Sequence, residues 1–359
     1  MPHVIIVGGG YIGAELAREL DHHMDVTLVE PREAFVHTPV MIRGVAVPEL
    51  VEQALFPYDR LLTNGVVRRA RVCSVQGTGV TLEDGTEISG DYIVIATGSS
   101  YAAPFKPENA EVGGLIKAQK DAHAALRDAG HIAIVGAGAV GTELAGEIKV
   151  AHPSKTITLI SDLPSLFPEY PARLGRELRR KLHMLGVEVI LDQHVENLAS
   201  TTRPFKDPLV LRTGTEIPAD VVFPAIGARP NTDLLRDLPG THQQPDGRIL
   251  SDRRMRPSDL PNVFAAGDAV DMGDPMTIVG TSRQVLWLIK TLKAVARGKP
   301  VERCLPYGPW RKAPILVPLG PQLGNSYLPP ATVGNALTRQ VKGKQLFLPK
   351  YRKLFRTGT

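Results

Sequence analysis

Cysteine is scarce: the 359 residues contain two, Cys73 and Cys304. That excludes a disulfide framework, a Cys-x-x-Cys redox pair and a multi-cysteine metal site. A run of about 18 apolar residues is also missing, so no membrane-spanning helix is expected. The first strand-like run begins at Val4, so no signal peptide is expected, and Pro2 is not a myristoylation site. A cytoplasmic protein follows as the expectation, with peripheral attachment to the inner face of a membrane left open. Acid is absent from the C-terminal end. The last carboxylate is Glu302, and the residues after it carry ten Lys or Arg. A body of net charge −5 therefore precedes a tail of +10, within a net +5. Such asymmetry points to an anionic partner.

What is present is a duplicated pattern. Val4–Val7 is a short apolar run, and Gly8-Gly9-Gly10-Tyr11-Ile12-Gly13 follows at once. Ile12, Leu16, Ala17 and Leu20 then repeat at helical spacing, and Val26–Val29 ends at Glu30. Gly8 suits a tight turn, Gly10 a close backbone approach to a diphosphate, and Gly13 close packing of helix on strand. Glu30 stands where a carboxylate bonds ribose hydroxyls. The unit recurs: Ile132–Val135, then Gly136, Gly138 and Gly141, then a helix and Ile157–Ile160. Here the second strand ends in Ser161. It neither repels a 2′-phosphate as a carboxylate would nor supplies a cation for one, so NADH and NADPH both stay open.

The two units predict an α/β fold with two Rossmann-like dinucleotide-binding domains and a small C-terminal region. The expected parts are 1–103 (flavin unit), 104–220 (nicotinamide unit), 221–300 (second part of the flavin unit) and 301–359 (basic region for acceptor or membrane docking). Residues 101–114, with Pro104 and Pro107, read as a linker. Further strands are expected at 80–82, 91–98, 221–226 and 262–268, and a helix at 278–297. Two dinucleotide units imply two dinucleotides, a resident FAD and a diffusing NADH or NADPH.

Several segments carry a family resemblance. Ala96-Thr97-Gly98 after a strand, the Gly227 turn and Gly267-Asp268 resemble the marks of two-dinucleotide-domain flavoprotein reductases, with a glutathione-reductase-like arrangement. Phe35-Val36-His37-Thr38, Pro57–Leu62, Ala96–Ser100 and Gly141–Lys149 resemble, more narrowly, their apoptosis-inducing-factor-like subgroup. The resemblance implies an FAD-dependent NAD(P)H oxidoreductase, with a quinone reduced at a membrane surface. It implies that Asp268 bonds the flavin ribitol and that the helix beginning near Thr277 points at the isoalloxazine. It also implies that Glu143 lies near the nicotinamide. In the tail, Lys342 and Phe347 match a Lys and a Phe of the subgroup and are carried over as catalytic candidates. The chain departs from that subgroup in lacking its lipidation signal and in having Met276 where a lysine is carried.

Blander readings stand beside these. Asp268 also reads as a plain helix N-cap, and Glu143 as an acid favoured at a helix start. His37 either approaches the flavin edge or is a packed histidine. Arg43 either reaches the FAD diphosphate or makes a salt bridge. Neither cysteine has a partner, so the reduced flavin must pass electrons directly to a non-thiol acceptor. No histidine cluster suggests a metal, and no motif suggests nucleic acid. Residues 342–356 interleave charge with Leu346, Phe347, Leu348, Tyr351, Leu354 and Phe355. They suit an anionic membrane surface, an acidic protein partner such as a ferredoxin, or a C-terminal element packed on the flavin unit. A redox-sensing protein of slow turnover is the non-enzymatic alternative.

Overall fold

The computed structural model describes residues 1–357, so the last two residues of the expected C-terminal region lie outside the described residues. Two parallel sheets form the centres of the two expected units. The first has the strand order Val263–Ala265, Tyr92–Ile95, His3–Val7, Asp25–Val29, Val66–Arg68. The second runs Val187–Ile190, Thr156–Ile160, His131–Val135, Val221–Pro224. Their central strands are continuous apolar runs because both faces are buried: helices cover one face of each sheet, and short antiparallel strands (with Val72, Val80 and Leu82, and with Leu209 and Ile217) pack against the other. Helix Tyr11–Leu20 follows the first glycine motif, and helix Ala139–Ala151 follows the second.

The strand Val221–Pro224 pairs in parallel with His131–Val135, in register Ile132↔Val221. It therefore completes the nicotinamide sheet, and the expected boundary after 220 cuts one strand too early. A short antiparallel pair, Ser99–Ser100 with Arg229–Pro230, ties together the two segments that cross between the units. The helix expected at 278–297 is Ile278–Val295. Its apolar side, Val285, Leu288, Leu292 and Val295, packs in the first unit's core.

The tail divides its contacts between both units. Strands Ile315–Leu319, Leu323–Leu328 and Ala331–Val333 form an antiparallel sheet. It lies on helices Ala139–Ala151 and Ala172–Leu185. Gly146 permits this approach, since a Cβ there would stand 2.5 Å from the Leu319 Cα. Lys181, buried, crosses the same interface to the Gly324 carbonyl at 2.6 Å and the Asn335 amide oxygen at 2.6 Å. The chain then passes through a π-helical turn, Arg339–Gly343, into helix Leu348–Phe355. Leu346, Leu348, Tyr351 and Phe355 are buried in the first unit's core. Phe355 sits 5.0 Å from Phe35, centroid to centroid, and Tyr351 5.3 Å from Tyr11. Of the three readings left open for this segment, these side chains follow the packed one: they complete the first unit's core.

Candidate functional site

The two glycine motifs are built alike. Gly8 has φ +103° and Gly136 φ +106°, the left-handed region that glycine tolerates. A Cβ on Gly13 would stand 1.8 Å from the Gly8 carbonyl oxygen, and one on Gly141 1.9 Å from that of Gly136. Helix and strand can therefore touch only through glycine. A Cβ on Gly10 or Gly138, by contrast, would meet nothing within 4 Å. These two glycines border open space, and neither helix start has a side-chain cap. Free N–H groups and the helix dipole suit each start to a diphosphate. Gly10 is half-buried and Gly138 exposed, which fits a resident dinucleotide in the first cradle and an exchanging one in the second.

A cavity of about 1610 Å³, open mouth included, runs from the first cradle to the second helix and the tail. Gly10, Thr38, Ala96, Thr97, Gly98, Gly267, Asp268 and Thr277 line it. Glu143, Lys342 and Phe347 line it too, so the three catalytic candidates and the expected flavin-side residues share one space. Glu30 is buried behind the cradle, accepting from the Gly9 N–H at 2.6 Å and the Arg32 side chain at 2.8 Å. The Thr97 hydroxyl donates to the Asn231 carbonyl at 2.7 Å, and the Asn231 amide donates to the Thr97 carbonyl at 3.0 Å. Gly227 (φ +75°) turns the chain just before Ala228 reaches the wall. Gly267 donates its N–H to Gln284 at 2.8 Å. Thr277 caps the long helix, accepting from the Gly280 N–H at 2.9 Å.

Two cations on this wall escaped the sequence reading. Lys106 lies within the expected linker, yet it donates to the Ser99 hydroxyl at 2.7 Å and stands 3.6 Å from the Asp268 carboxylate. Arg32 lines the wall nearer the cradle. Nothing in the pattern around Lys106 distinguishes it from a solvated lysine. Arg32 stands two residues past Glu30, and that spacing could have flagged it. Together with the open glycine cradle, the two cations fit a dianionic diphosphate. The linker itself is wall: Tyr101, Phe105, Lys106 and Pro107 all line the cavity.

Two expected cofactor ligands sit elsewhere. His37 is fully buried and does not line the cavity. One ring nitrogen meets the Leu346 carbonyl and the other the Tyr11 hydroxyl at 3.1 Å. Burial lowers its pKa to about 4, with Lys342 adding to the effect and the Leu346 contact opposing it. Arg43 is buried against Glu147 in a bidentate pair, both contacts 2.9 Å, and donates to the Gly343 carbonyl at 2.7 Å. It joins the first unit, the second unit and the tail rather than reaching a diphosphate. Both residues anchor the segment that carries Lys342 and Phe347. Ser161 is buried after its strand, its hydroxyl accepting from the Leu163 N–H at 3.2 Å, and it does not line this cavity.

Lys342 stands on the π-helical turn, a form often found at functional sites. Its ammonium is 2.5 Å from the Glu143 carboxylate and 3.2 Å from the Leu316 carbonyl. Burial raises the Glu143 pKa, and Lys342 opposes the rise. Leu346 (φ +49°) and Phe347 (φ +61°) are consecutive left-handed residues. Pro314, Ile315, Leu316 and Met276 give this end of the cavity an apolar wall. Neither cysteine lines it. Cys73 is exposed on a distant strand and Cys304 is buried near the long helix.

The family model described as pyridine nucleotide-disulphide oxidoreductase matches residues 3–284. Apoptosis-inducing factor homolog B of Dictyostelium discoideum is 30% identical, over 97% of this chain and 95% of its own length. Ferroptosis suppressor protein 1 of Homo sapiens is 24% identical, over 96% of this chain and 94% of its own length. Among solved structures, the sulfide:quinone oxidoreductase of Aquifex aeolicus superposes with a TM-score of 0.80 at 18% identity, over 100% of this chain and 92% of that one. The chain belongs to the pyridine nucleotide-disulphide oxidoreductase family, among its apoptosis-inducing-factor-like members, and is an oxidoreductase that uses FAD and NAD(P)H.

Proposed function

We propose that this protein is an NAD(P)H:quinone oxidoreductase. One observation carries the reading: a single cavity joins the flavin cradle to an apolar pocket lined by a half-buried Lys342 paired with the buried Glu143, and by no thiol. FAD, when bound, would supply a two-electron carrier between the nicotinamide and the acceptor. The chain's own residues do the rest. Gly10, Arg32, Lys106 and Asp268 line the first cradle's side of the cavity and would hold the flavin dinucleotide. The Gly138 cradle receives NAD(P)H, and Ala139, Val140 and Glu143 border the nicotinamide. Lys342 donates a hydrogen bond to one quinone oxygen, and Phe347 packs against the quinone ring. Glu143 fixes the ammonium in place. The quinone takes up two electrons and two protons. Both electrons and one of the hydrogens originate in the hydride, and solvent supplies the second proton through Lys342. The sum is NAD(P)H + H⁺ + quinone giving NAD(P)⁺ and hydroquinone.

The Aquifex neighbour is a sulfide:quinone oxidoreductase, and that likeness supports a quinone as the acceptor class. The test is anaerobic and uses purified holoenzyme. NADH should bleach the flavin, and a short-chain ubiquinone should restore its colour. Lys342→Met should slow the restoring step about 10²-fold while leaving the bleaching step nearly unchanged. A flavin that NADH reduces but no quinone reoxidises would overturn the reading.

The basic tail favours a second reading, the reduction of a small acidic electron-transfer protein. Reduction of such a partner would collapse with added salt, whereas reduction of a neutral quinone would not.

A further inference from the structure

The long helix Ile278–Val295 has an outer stripe. Arg283, Leu286 and Lys290 are exposed at helical spacing, opposite the face buried in the core. The segment from Cys304 to Lys312 runs alongside. The Trp287 indole N–H donates to the Leu305 carbonyl at 2.7 Å. The Arg283 guanidinium lies 4.6 Å over the Trp310 ring, and the Trp310 backbone N–H donates to the buried Asp274 carboxylate at 3.0 Å. Leu305 protrudes at 84% exposure and Leu286 at 55%. Both of the chain's tryptophans therefore lie on this face, half-buried. From Pro275 to Thr359 there are fifteen Lys or Arg and one acid, Glu302. Among the described residues, Arg283, Lys290, Arg303, Arg311 and Lys312 form no ion pair. Both ends of the face reach the cavity, through Met276–Val279 and through Pro314–Leu316.

We propose that this face docks the protein on an anionic lipid surface, with the cavity mouth at its edge. Unpaired cations attract the headgroups, and the attraction falls off within a Debye length, so they must lie at the surface. Leu286 and Leu305 project into solvent, which suits a fluid interface. The amphipathic indole of Trp287, at the surface beside Leu305, belongs at the headgroup level. No helix among the described residues is long and apolar enough to cross a membrane, so attachment here is peripheral. The proposal rests on the quinone reading for its purpose: an apolar acceptor dissolved in lipid would enter directly from the docked face. It also moves the expected membrane contact from residues 342–356, whose apolar side chains are in the core, to residues 283–312.

The test is co-sedimentation of the holoenzyme with vesicles of phosphatidylcholine alone or mixed equally with phosphatidylglycerol. Binding should require phosphatidylglycerol and weaken with salt, and the tryptophan emission should shift to the blue. K290E/K312E should weaken binding by at least about tenfold. L286Q/L305Q should suppress the blue shift. NADH oxidation with a soluble short-chain quinone should be unchanged in both variants, which shows that they fold. Absent binding to the mixed vesicles would overturn the proposal. So would binding that only K350E/K353E weakens, or tight association with an acidic redox protein in place of vesicles. If vesicle binding persists while soluble quinone turnover fails, the quinone reading falls and the docking face stands.

Discussion

Gly10 and Gly13 lie three residues apart and do opposite work. A Cβ on Gly13 collides with backbone, whereas one on Gly10 enters open space. Gly13→Ala should therefore damage the fold by about 3 kcal/mol, read by urea denaturation. Gly10→Val should leave the apoprotein's stability nearly unchanged and yield protein purified without flavin colour. Gly138→Val should keep the flavin and raise the KM for NADH. His37 makes a different prediction. Its folded pKa of about 4 lies below the ordinary 6.5. A depressed pKa means its contribution to stability is full above pH 6.5 and fades as pH falls through 6.5 toward 4. The span amounts to about 3 kcal/mol. Urea midpoints of the wild type should fall through that window more steeply than those of His37→Gln. Equal slopes would show that the ring is not held neutral by burial.

At the scale of elements, the segment bearing Lys342 and Phe347 is held by two buried contacts, Arg43 on the Gly343 carbonyl and His37 on the Leu346 carbonyl. Arg43→Met leaves Glu147 charged and buried without its partner, a loss of about 3–5 kcal/mol. Adding Glu147→Leu removes the orphaned charge and should restore most of that stability, again by urea denaturation. If the double variant is as weak as the single one, the packing around Arg43 matters more than its charge. This arrangement also marks the limit of sequence reading. The glycine motifs were legible because local spacing alone fixes a strand–turn–helix unit and its phosphate-binding start, whereas Asp268 and the helix start at Thr277 took their roles from resemblance. Glu143 and Lys342 were named only through resemblance, because 199 residues separate two groups that meet at 2.5 Å. Arg43 and Glu147 pair across 104 residues, so no local pattern could choose between diphosphate and carboxylate for Arg43. Lys106 was hidden because a proline-rich stretch reads as linker whether it faces solvent or a ligand.

The whole molecule distributes charge as it distributes work. The acidic body holds both dinucleotide cradles, and the basic end closes the flavin core with Tyr351 and Phe355 while adding Lys342 to the cavity. The tail is amphipathic as its pattern suggests, and among the readings left open its apolar side takes the packed one, against protein. The burial of Leu346, Leu348, Tyr351 and Phe355 predicts that truncation after Val333 destabilises the flavin unit rather than merely slowing acceptor reduction. Thermal melts of such a chain should fall well below the wild type, with flavin released at the transition. The most direct test of the central claim compares acceptors at low and high salt. NADH oxidation by the holoenzyme is followed with a short-chain ubiquinone and, separately, with an acidic ferredoxin. Rapid quinone reduction that survives added salt is the expected result. Turnover with the ferredoxin alone, abolished by salt, would contradict it.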